Sequence, residues 1–223
     1  MAEHIVKILE CSYISHDVKR FAVEKPNGFS FIPGQSTDLS INLSEWKDKL
    51  RPFTFTSLNE WNYLEFIIKI YDDHNGVTHQ LGKTNAGAEL ILHDVYGSIQ
   101  YKGPGIFIAG GSGITPFIAI FRALYKQKKL LPGNALIFSN KTADDIILGE
   151  ELAKMLGHAY MNVFTREGVI GFRERRIDRE FLIENIRDFS LHFYVCGPEK
   201  FVKDIVELLL SLGASADTVI VEK

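Results

Sequence analysis

Ile106-Phe107-Ile108-Ala109-Gly110-Gly111-Ser112-Gly113-Ile114-Thr115-Pro116 runs from an apolar strand-like segment through a glycine-rich turn to a proline that opens a helical pattern. Glycines let the chain turn tightly out of a buried strand and let a ligand approach the backbone. The helix that follows offers unpaired N–H groups to an anion, so the turn suits a pyrophosphate. Other phosphate and nucleophile motifs fail on spacing. No Gly-Lys-Ser/Thr follows, as an ATPase loop requires, and Pro116 stands where the general dinucleotide fingerprint wants Gly or Ala. Ile114 stands where a nucleophile elbow wants Gly, which makes Ser112 a poor nucleophile. Five of the eleven residues from Gly103 to Gly113 are glycine, which favours a binding turn over an empty one.

Downstream of this turn, the apolar runs Ala135–Phe138, Met161–Phe164 and Phe193–Val195 alternate with helical stretches. These are Pro116–Lys128, Leu148–Leu156, Arg179–Ile186 and Pro198–Leu212. Apolar strands alternating with amphipathic helices predict a parallel sheet covered on both faces. Upstream the texture differs. Short runs (Ile5–Leu9, Phe21–Val23, Thr37–Leu43, Leu64–Tyr71, Leu90–Leu92) are separated by turn signals such as Pro33-Gly34 and Asn85–Gly87, as in an antiparallel barrel or sandwich. The boundary is expected near residue 103, giving domains 1–102 and 103–223.

The composition sets limits. With 223 residues, 25 Lys+Arg against 28 Asp+Glu and 46% hydrophobic content, the chain is an ordinary globular protein with net charge −3. No basic block is long enough to follow a nucleic acid. Cys11 and Cys196 are too few for a thiolate-held iron–sulfur cluster, and no metal is expected. The 19 uncharged residues from Gly103 to Phe121 include seven Gly or Pro, so they read as strand, turn and helix rather than a membrane span. The start lacks a signal-peptide pattern, and a cytoplasmic monomer is expected.

Two further stretches carry chemistry. Tyr194-Val195-Cys196-Gly197-Pro198 sits at the carboxyl end of a buried strand, where open α/β sheets carry ligands. Arg51-Pro52-Phe53-Thr54-Phe55-Thr56-Ser57 joins a cation, planar rings and hydroxyls on one strand. Arg51, Phe53, Phe55 and Ser57 share one face of it, and Pro52, Thr54 and Thr56 the other.

Arg-x-Phe-Thr-x-x-Ser, Gly-Gly-x-Gly-Ile-Thr-Pro and Cys-Gly-Pro, in that order, resemble the ferredoxin–NADP reductase superfamily, which includes bacterial flavodoxin and ferredoxin reductases and NAD(P)H–flavin reductases. The resemblance covers essentially the whole chain. It implies a two-domain β plus α/β fold: a six-stranded antiparallel barrel for FAD, then a doubly wound parallel sheet for NAD(P)H. Pro33-Gly34-Gln35 matches the family's early turn. By the same resemblance Arg51 neutralises the FAD pyrophosphate, Phe53 packs on the flavin beside Pro52 and Ser57, and Thr54 stands beside flavin N5. Ile68-Lys69-Ile70 lines the flavin, and Gly76-Val77-Thr78 holds its phosphate. Asp94-Val95-Tyr96-Gly97 keeps only the last glycine of the corresponding family turn.

In the second domain Gly110, Gly111, Ser112, Gly113, Thr115 and Pro116 are expected to hold the dinucleotide, with Cys196, Gly197 and Pro198 at the nicotinamide. Thr54 and Cys196 are the residues expected to act directly in catalysis. Asn140 and Lys141 take the ribose position, and Arg166, Arg173, Arg175 and Arg176 are further cations. This set favours NADPH, with NADH as the alternative. The implied reaction passes a hydride from nicotinamide to FAD and then electrons to a separate acceptor such as ferredoxin or flavodoxin. Rival readings are a reductase of free flavin and a non-catalytic electron-transfer or nucleotide-binding subunit. Ile220-Val221-Glu222-Lys223 resembles the family's terminal strand but stops where many relatives carry an aromatic residue.

Overall fold

The structure, a computed structural model, describes residues 3–128, 131–166 and 175–222. Six strands build the first sheet: β1 (His4–Tyr13), β2 (Val18–Glu24), β3 (Ser36–Ile41), β4 (Arg51–Thr54), β5 (Tyr63–Lys69) and β6 (Glu89–Tyr96). They pair antiparallel in the order β4-β3-β6-β1-β2-β5. The sheet curls into a nearly closed barrel, and beyond β4 the Thr56 N–H donates to the Glu65 carbonyl of β5 at 2.9 Å. Alternation explains its core. Val6 and Ile8, Phe21 and Val23, Leu39 and Ile41, Leu64, Phe66 and Ile68, and Leu90 and Leu92 all point inward. Cys11 is half-buried against this core, its thiol directed at the Thr84 carbonyl.

The short helix α1 (Val77–Lys83) follows β5. Its sequence carries no side-chain N-cap, and tertiary contacts supply its stability. Val77 and Leu81 enter the barrel core, while the buried Lys19 ammonium donates to the carbonyls of Gly82 and Thr84 at the C-terminal end.

The second sheet is parallel: β7 (Gly105–Gly110), β8 (Ala135–Asn140), β9 (Tyr160–Phe164), β10 (His192–Cys196) and β11 (Val219–Val221), in the order β11-β10-β7-β8-β9. Its helices are α2 (Thr115–Lys128), α3 (Gly149–Leu156), α4 (Arg179–Asn185) and α5 (Glu199–Ser211). The two-residue strand period divides them between faces. Phe107, Ala109, Leu136, Phe138 and Tyr194 pack on α2 and α3, whereas Ile106, Ile108, Ile137, Phe193 and Val195 pack on α4 and α5. This is the expected doubly wound arrangement. The segment Gly103–Phe121 is β7, a turn and the first half of α2. Among the described residues no helix is long and apolar enough to cross a membrane.

The α2/α3 face also touches the barrel, since Val18, Ile67 and Ile99 belong to the same apolar cluster. Helix α2 therefore lies between the two sheets, with its amino end at the glycine turn.

Candidate active site

At the carboxyl ends of β7 and β10, adjacent parallel strands, the chain departs in opposite directions: to β8 through α2 and to β11 through α5. That divergence opens the crevice in which such sheets bind ligands. Gly113 fits its bottom for a steric reason. A Cβ there would stand 2.4 Å from the Cys196 carbonyl carbon, so only glycine lets the turn and the end of β10 meet. Gly111 has φ +53°, and nothing lies within 4 Å of where its Cβ would point, which leaves bare backbone facing open space. The Thr115 hydroxyl donates to the Ser112 carbonyl and fixes the entry to α2, where Pro116 is buried.

The crevice faces the barrel across a cleft of about 380 Å³. Pro52, Phe53 and Thr54 of β4, Ile67, Ile68 and Lys69 of β5, and Thr78 form one wall; Ser112, Gly113, Thr115, Cys196, Gly197, Pro198 and Glu222 form the other. A second cleft of about 390 Å³ shares Lys69, Tyr71, Ser112 and Pro198 with the first and continues along the parallel sheet. Its lining adds Gly110, Gly111, Ser139, Asn140, Lys141, Asp145 and Thr165. The two make one groove.

Several side chains in the groove are set for binding. The Asn140 amide is buried, and neither its oxygen nor its nitrogen has a hydrogen-bond partner, an arrangement that calls for a bound group or water. The Cys196 thiol points at Glu222 Oε2 at 3.5 Å. Burial, and then the Glu222 carboxylate, push its pKa well above the ordinary thiol value, so it is a neutral donor rather than a nucleophile. Lys69 Nζ lies 2.6 Å from Asp17 and 3.7 Å from Asp145. Burial opposes its charge, but Asp17 and then Asp145 outweigh that and hold its pKa above the usual lysine value. Burial likewise opposes the Asp145 charge, but hydrogen bonds from the Thr142 hydroxyl and N–H, together with Lys69, leave its pKa below the ordinary carboxylate value.

Other expected site residues lie nearby but off the groove. Arg51 is exposed, its guanidinium donating to the Leu50 carbonyl. Ser57 is buried, its hydroxyl accepting from the Glu65 N–H. Gly76 precedes α1, and Val77 is buried in the barrel. Arg166 is exposed after β9, its N–H donating to the Lys141 carbonyl. Arg173 lies outside the described residues. Arg175 is engaged by Glu184 at 2.7 Å and by the Phe181 ring, and Arg176 is exposed.

Ile67, Tyr71, Ser139, Ile147, Thr165, Phe201 and Glu222 line the groove without being candidates in the sequence. Asp145 instead ends Asn140-Lys141-Thr142-Ala143-Asp144-Asp145, which resembles the family's Ala-Arg-Thr-x-x-Asp segment after the second strand. For Asp145 there was a local signal, since Thr142-x-x-Asp145 has capping-box spacing and forms one. Glu222 stands in the sequence as part of the terminal strand pattern. A carboxylate closing that apolar run was its one mark.

The chain belongs to the ferredoxin–NADP reductase superfamily. Residues 6–101 match the oxidoreductase FAD-binding domain and residues 107–207 the oxidoreductase NAD-binding domain. It is thus an oxidoreductase with one domain for FAD and one for a nicotinamide dinucleotide. Among individual proteins it is 31% identical to NADH–cytochrome b5 reductase 1 of Arabidopsis thaliana over 230 residues, 95% of this chain and 80% of that protein. Its fold is shared by the flavohaem-like FAD/NAD-binding domain of a Vibrio cholerae nitric oxide dioxygenase, at TM-score 0.84 and 21% identity over 97% and 96% of the two chains. A ferredoxin NADP+ reductase from Neisseria gonorrhoeae, at TM-score 0.83 and 22% identity over 99% and 98%, shares it too.

Proposed function

We propose that this protein takes electrons from NADH through FAD to a separate one-electron carrier, a haem protein of the cytochrome b5 kind. Residues 1–102 form the flavin half and 103–223 the dinucleotide half. The observation that carries this reading is the cleft that sets Thr54, Ile67 and Ile68 opposite Gly113, Thr115 and Cys196. The residues present fit both groups: an open glycine backbone and an unpartnered buried amide for the dinucleotide, and a half-buried aromatic ring with hydroxyls for the flavin. When bound, the nicotinamide supplies a hydride and the flavin ring accepts it.

The chain supplies placement. Thr54 offers a hydroxyl on the flavin wall, and Phe53 anchors that wall in the barrel core. Gly113 admits Cys196 to the floor, where its neutral thiol stays hydrogen-bonded to Glu222. Gly110 to Ser112 and Pro198 shape the passage between the two parts of the groove. Arg51, exposed with its guanidinium on the Leu50 carbonyl, is the cation offered to a flavin phosphate, with Gly76 and Thr78 as further holders. NADH is favoured over NADPH because the groove beside Asn140 and Lys141 carries the ionised Asp145 carboxylate, while Arg175 is spent on Glu184. The relative named for cytochrome b5 supports the choice of acceptor.

Anaerobic titration of the purified flavoprotein tests the reading. NADH should bleach the flavin at lower concentration than NADPH, and the reduced protein should reduce cytochrome b5 faster than ferredoxin, flavodoxin or free flavin. A flavin that neither dinucleotide bleaches would leave a non-catalytic subunit. Fastest transfer to free flavin would make the protein a flavin reductase. Cys196→Ser should keep the flavin yet slow its reduction about tenfold; unchanged stopped-flow rates would remove Cys196 from the mechanism.

A further inference from the structure

Arg122 sits two turns along α2 from the glycine turn, and its side chain is only 9% exposed. Glu151 of α3 grips it within its own domain, accepting from Nε at 2.6 Å and from Nη2 at 2.8 Å. Its Nη1 crosses to the barrel, donating to the Thr56 carbonyl at 2.8 Å and to Glu65 Oε1 at 2.6 Å. The Trp61 ring lies 5.2 Å from the guanidinium. Glu65, fully buried on β5, also accepts from Arg20 Nε at 2.6 Å and from the Thr56 hydroxyl at 2.8 Å. A planar five-donor fork can meet these acceptors together, whereas the lysine point charge cannot. Buried charges tolerate little rearrangement, because a lost partner leaves a desolvated ion.

We propose that Arg122 is a positioning residue for hydride transfer, fixing the separation and angle between the flavin wall and the nicotinamide edge. The inference rests on the proposed function and adds to it a part that no groove-lining residue supplies. Thr56 and Glu65 are each two residues from a cleft residue, Thr54 and Ile67, so the clamp lies roughly 7 Å along the same strand faces. Arg122 is about 10 Å along a stiff helix from Thr115. A shift at the clamp is therefore delivered to the cleft with little slack. Misplacement of reacting groups by about 1 Å can cost on the order of 100-fold in rate.

The test compares the wild-type holoprotein with Arg122→Lys, Glu151→Gln and Lys126→Met. Lys126 pairs with Glu60 at the exposed rim of the same domain junction and serves as the control. Expected for Arg122→Lys is full flavin content, an unchanged dinucleotide Kd and a flavin-reduction rate at saturating NADH at least about tenfold lower. The charge-transfer absorbance between reduced flavin and NAD+ should weaken, and hydrogen exchange should rise in residues 54–57 and 65–69 without any dinucleotide present. Glu151→Gln should show the same pattern more weakly, and Lys126→Met none of it. If Arg122→Lys does not fold, Glu151→Gln carries the same readouts.

A lowered melting temperature with the rate and charge-transfer band unchanged overturns the proposal, as does a changed Kd with an unchanged limiting rate. A wild type that NADH does not bleach refutes the proposed function instead. The exchange pattern then still reports whether Arg122 holds the two domains in one placement, and an unchanged pattern rejects that too.

Discussion

Glu65 and Lys69 mark two ends of one face of β5, and their surroundings differ. Glu65, Ile67 and Lys69 point away from the barrel core toward the second domain. At the Glu65 end two arginines and a threonine hydroxyl surround a carboxylate without solvent access. At the Lys69 end the ammonium lies between Asp17 of the barrel and Asp145 of the parallel-sheet domain, with the exposed His16 3.5 Å from Asp17. Lys69 and Asp145 also line the groove. Both ends join the two domains by ion pairs, but only the Lys69 end can trade a protein partner for a ligand. The dry end fixes geometry and the wet end recognises charge.

Glu65→Gln breaks the comparison at its strong end and carries the largest expected effect. It leaves the partly exposed Arg20 without its acidic partner and the buried Arg122 with Glu151 alone, the two like charges no longer separated by a carboxylate. Losing one partner of a buried ionic cluster costs about 3 kcal/mol or more. Urea titration should show that loss as a lower midpoint with an unchanged slope. A loss under about 1 kcal/mol would mean that the Glu65 end is as loosely held as a surface pair.

These two ends also show how far the sequence could be read. The glycine turn and the Cys-Gly-Pro turn were legible because glycine itself marks the sequence wherever it is demanded, by backbone angle at Gly111 and by the close approach of Cys196 at Gly113. The barrel strands were legible by alternation, though the runs stop three or four residues short of one end of β1, β2 and β6. The parallel strands were legible by continuous apolar runs, each within a residue or two of its observed ends. Helix α1 was not, because it is stabilised by Lys19 and by the barrel core rather than by its own caps. Glu65 looks in the sequence like an ordinary outward residue of a strand. Its meaning lies in Arg122, 57 residues away, and strand periodicity holds no trace of that partner. Ser57 and Val77 illustrate the converse. Motif position puts them at the ligand, and what it does not show is where their side chains go: the Ser57 hydroxyl to the Glu65 N–H and Val77 into the barrel core.

Asp145→Asn sharpens the comparison at the weak end. The substitution weakens the bonds to Thr142 and the ion pair to Lys69, so stability should fall by about 1 kcal/mol. The larger consequence is for specificity. Removing a negative charge from the groove beside Lys141, and loosening Lys69, should raise the ratio of kcat/KM for NADPH to that for NADH. The rise should be about tenfold, equivalent to about 1.4 kcal/mol. Steady-state kinetics with both dinucleotides measures it, and an unchanged ratio would place Asp145 away from the ribose.

The smallest effects concern pH and salt. A carboxylate whose folded pKa is depressed stabilises fully above its unfolded value and loses that contribution as pH falls through the folded value. The stability difference between wild type and Asp145→Asn should therefore be constant at neutral pH and shrink below about pH 4. The Arg122 guanidinium, held above its ordinary pKa despite burial by Glu151 and Glu65, keeps its proton throughout the same range. Salt separates the ends again. Raising ionic strength from about 0.1 M to about 1 M shortens the screening length from roughly 10 Å to roughly 3 Å, which reaches partly exposed pairs far more than buried ones. The Asp145→Asn specificity change should then shrink about twofold, while the urea-midpoint loss of Glu65→Gln stays put. Equal sensitivity of the two to salt would mean that water reaches Glu65, and with it the clamp that holds α2 against the flavin wall.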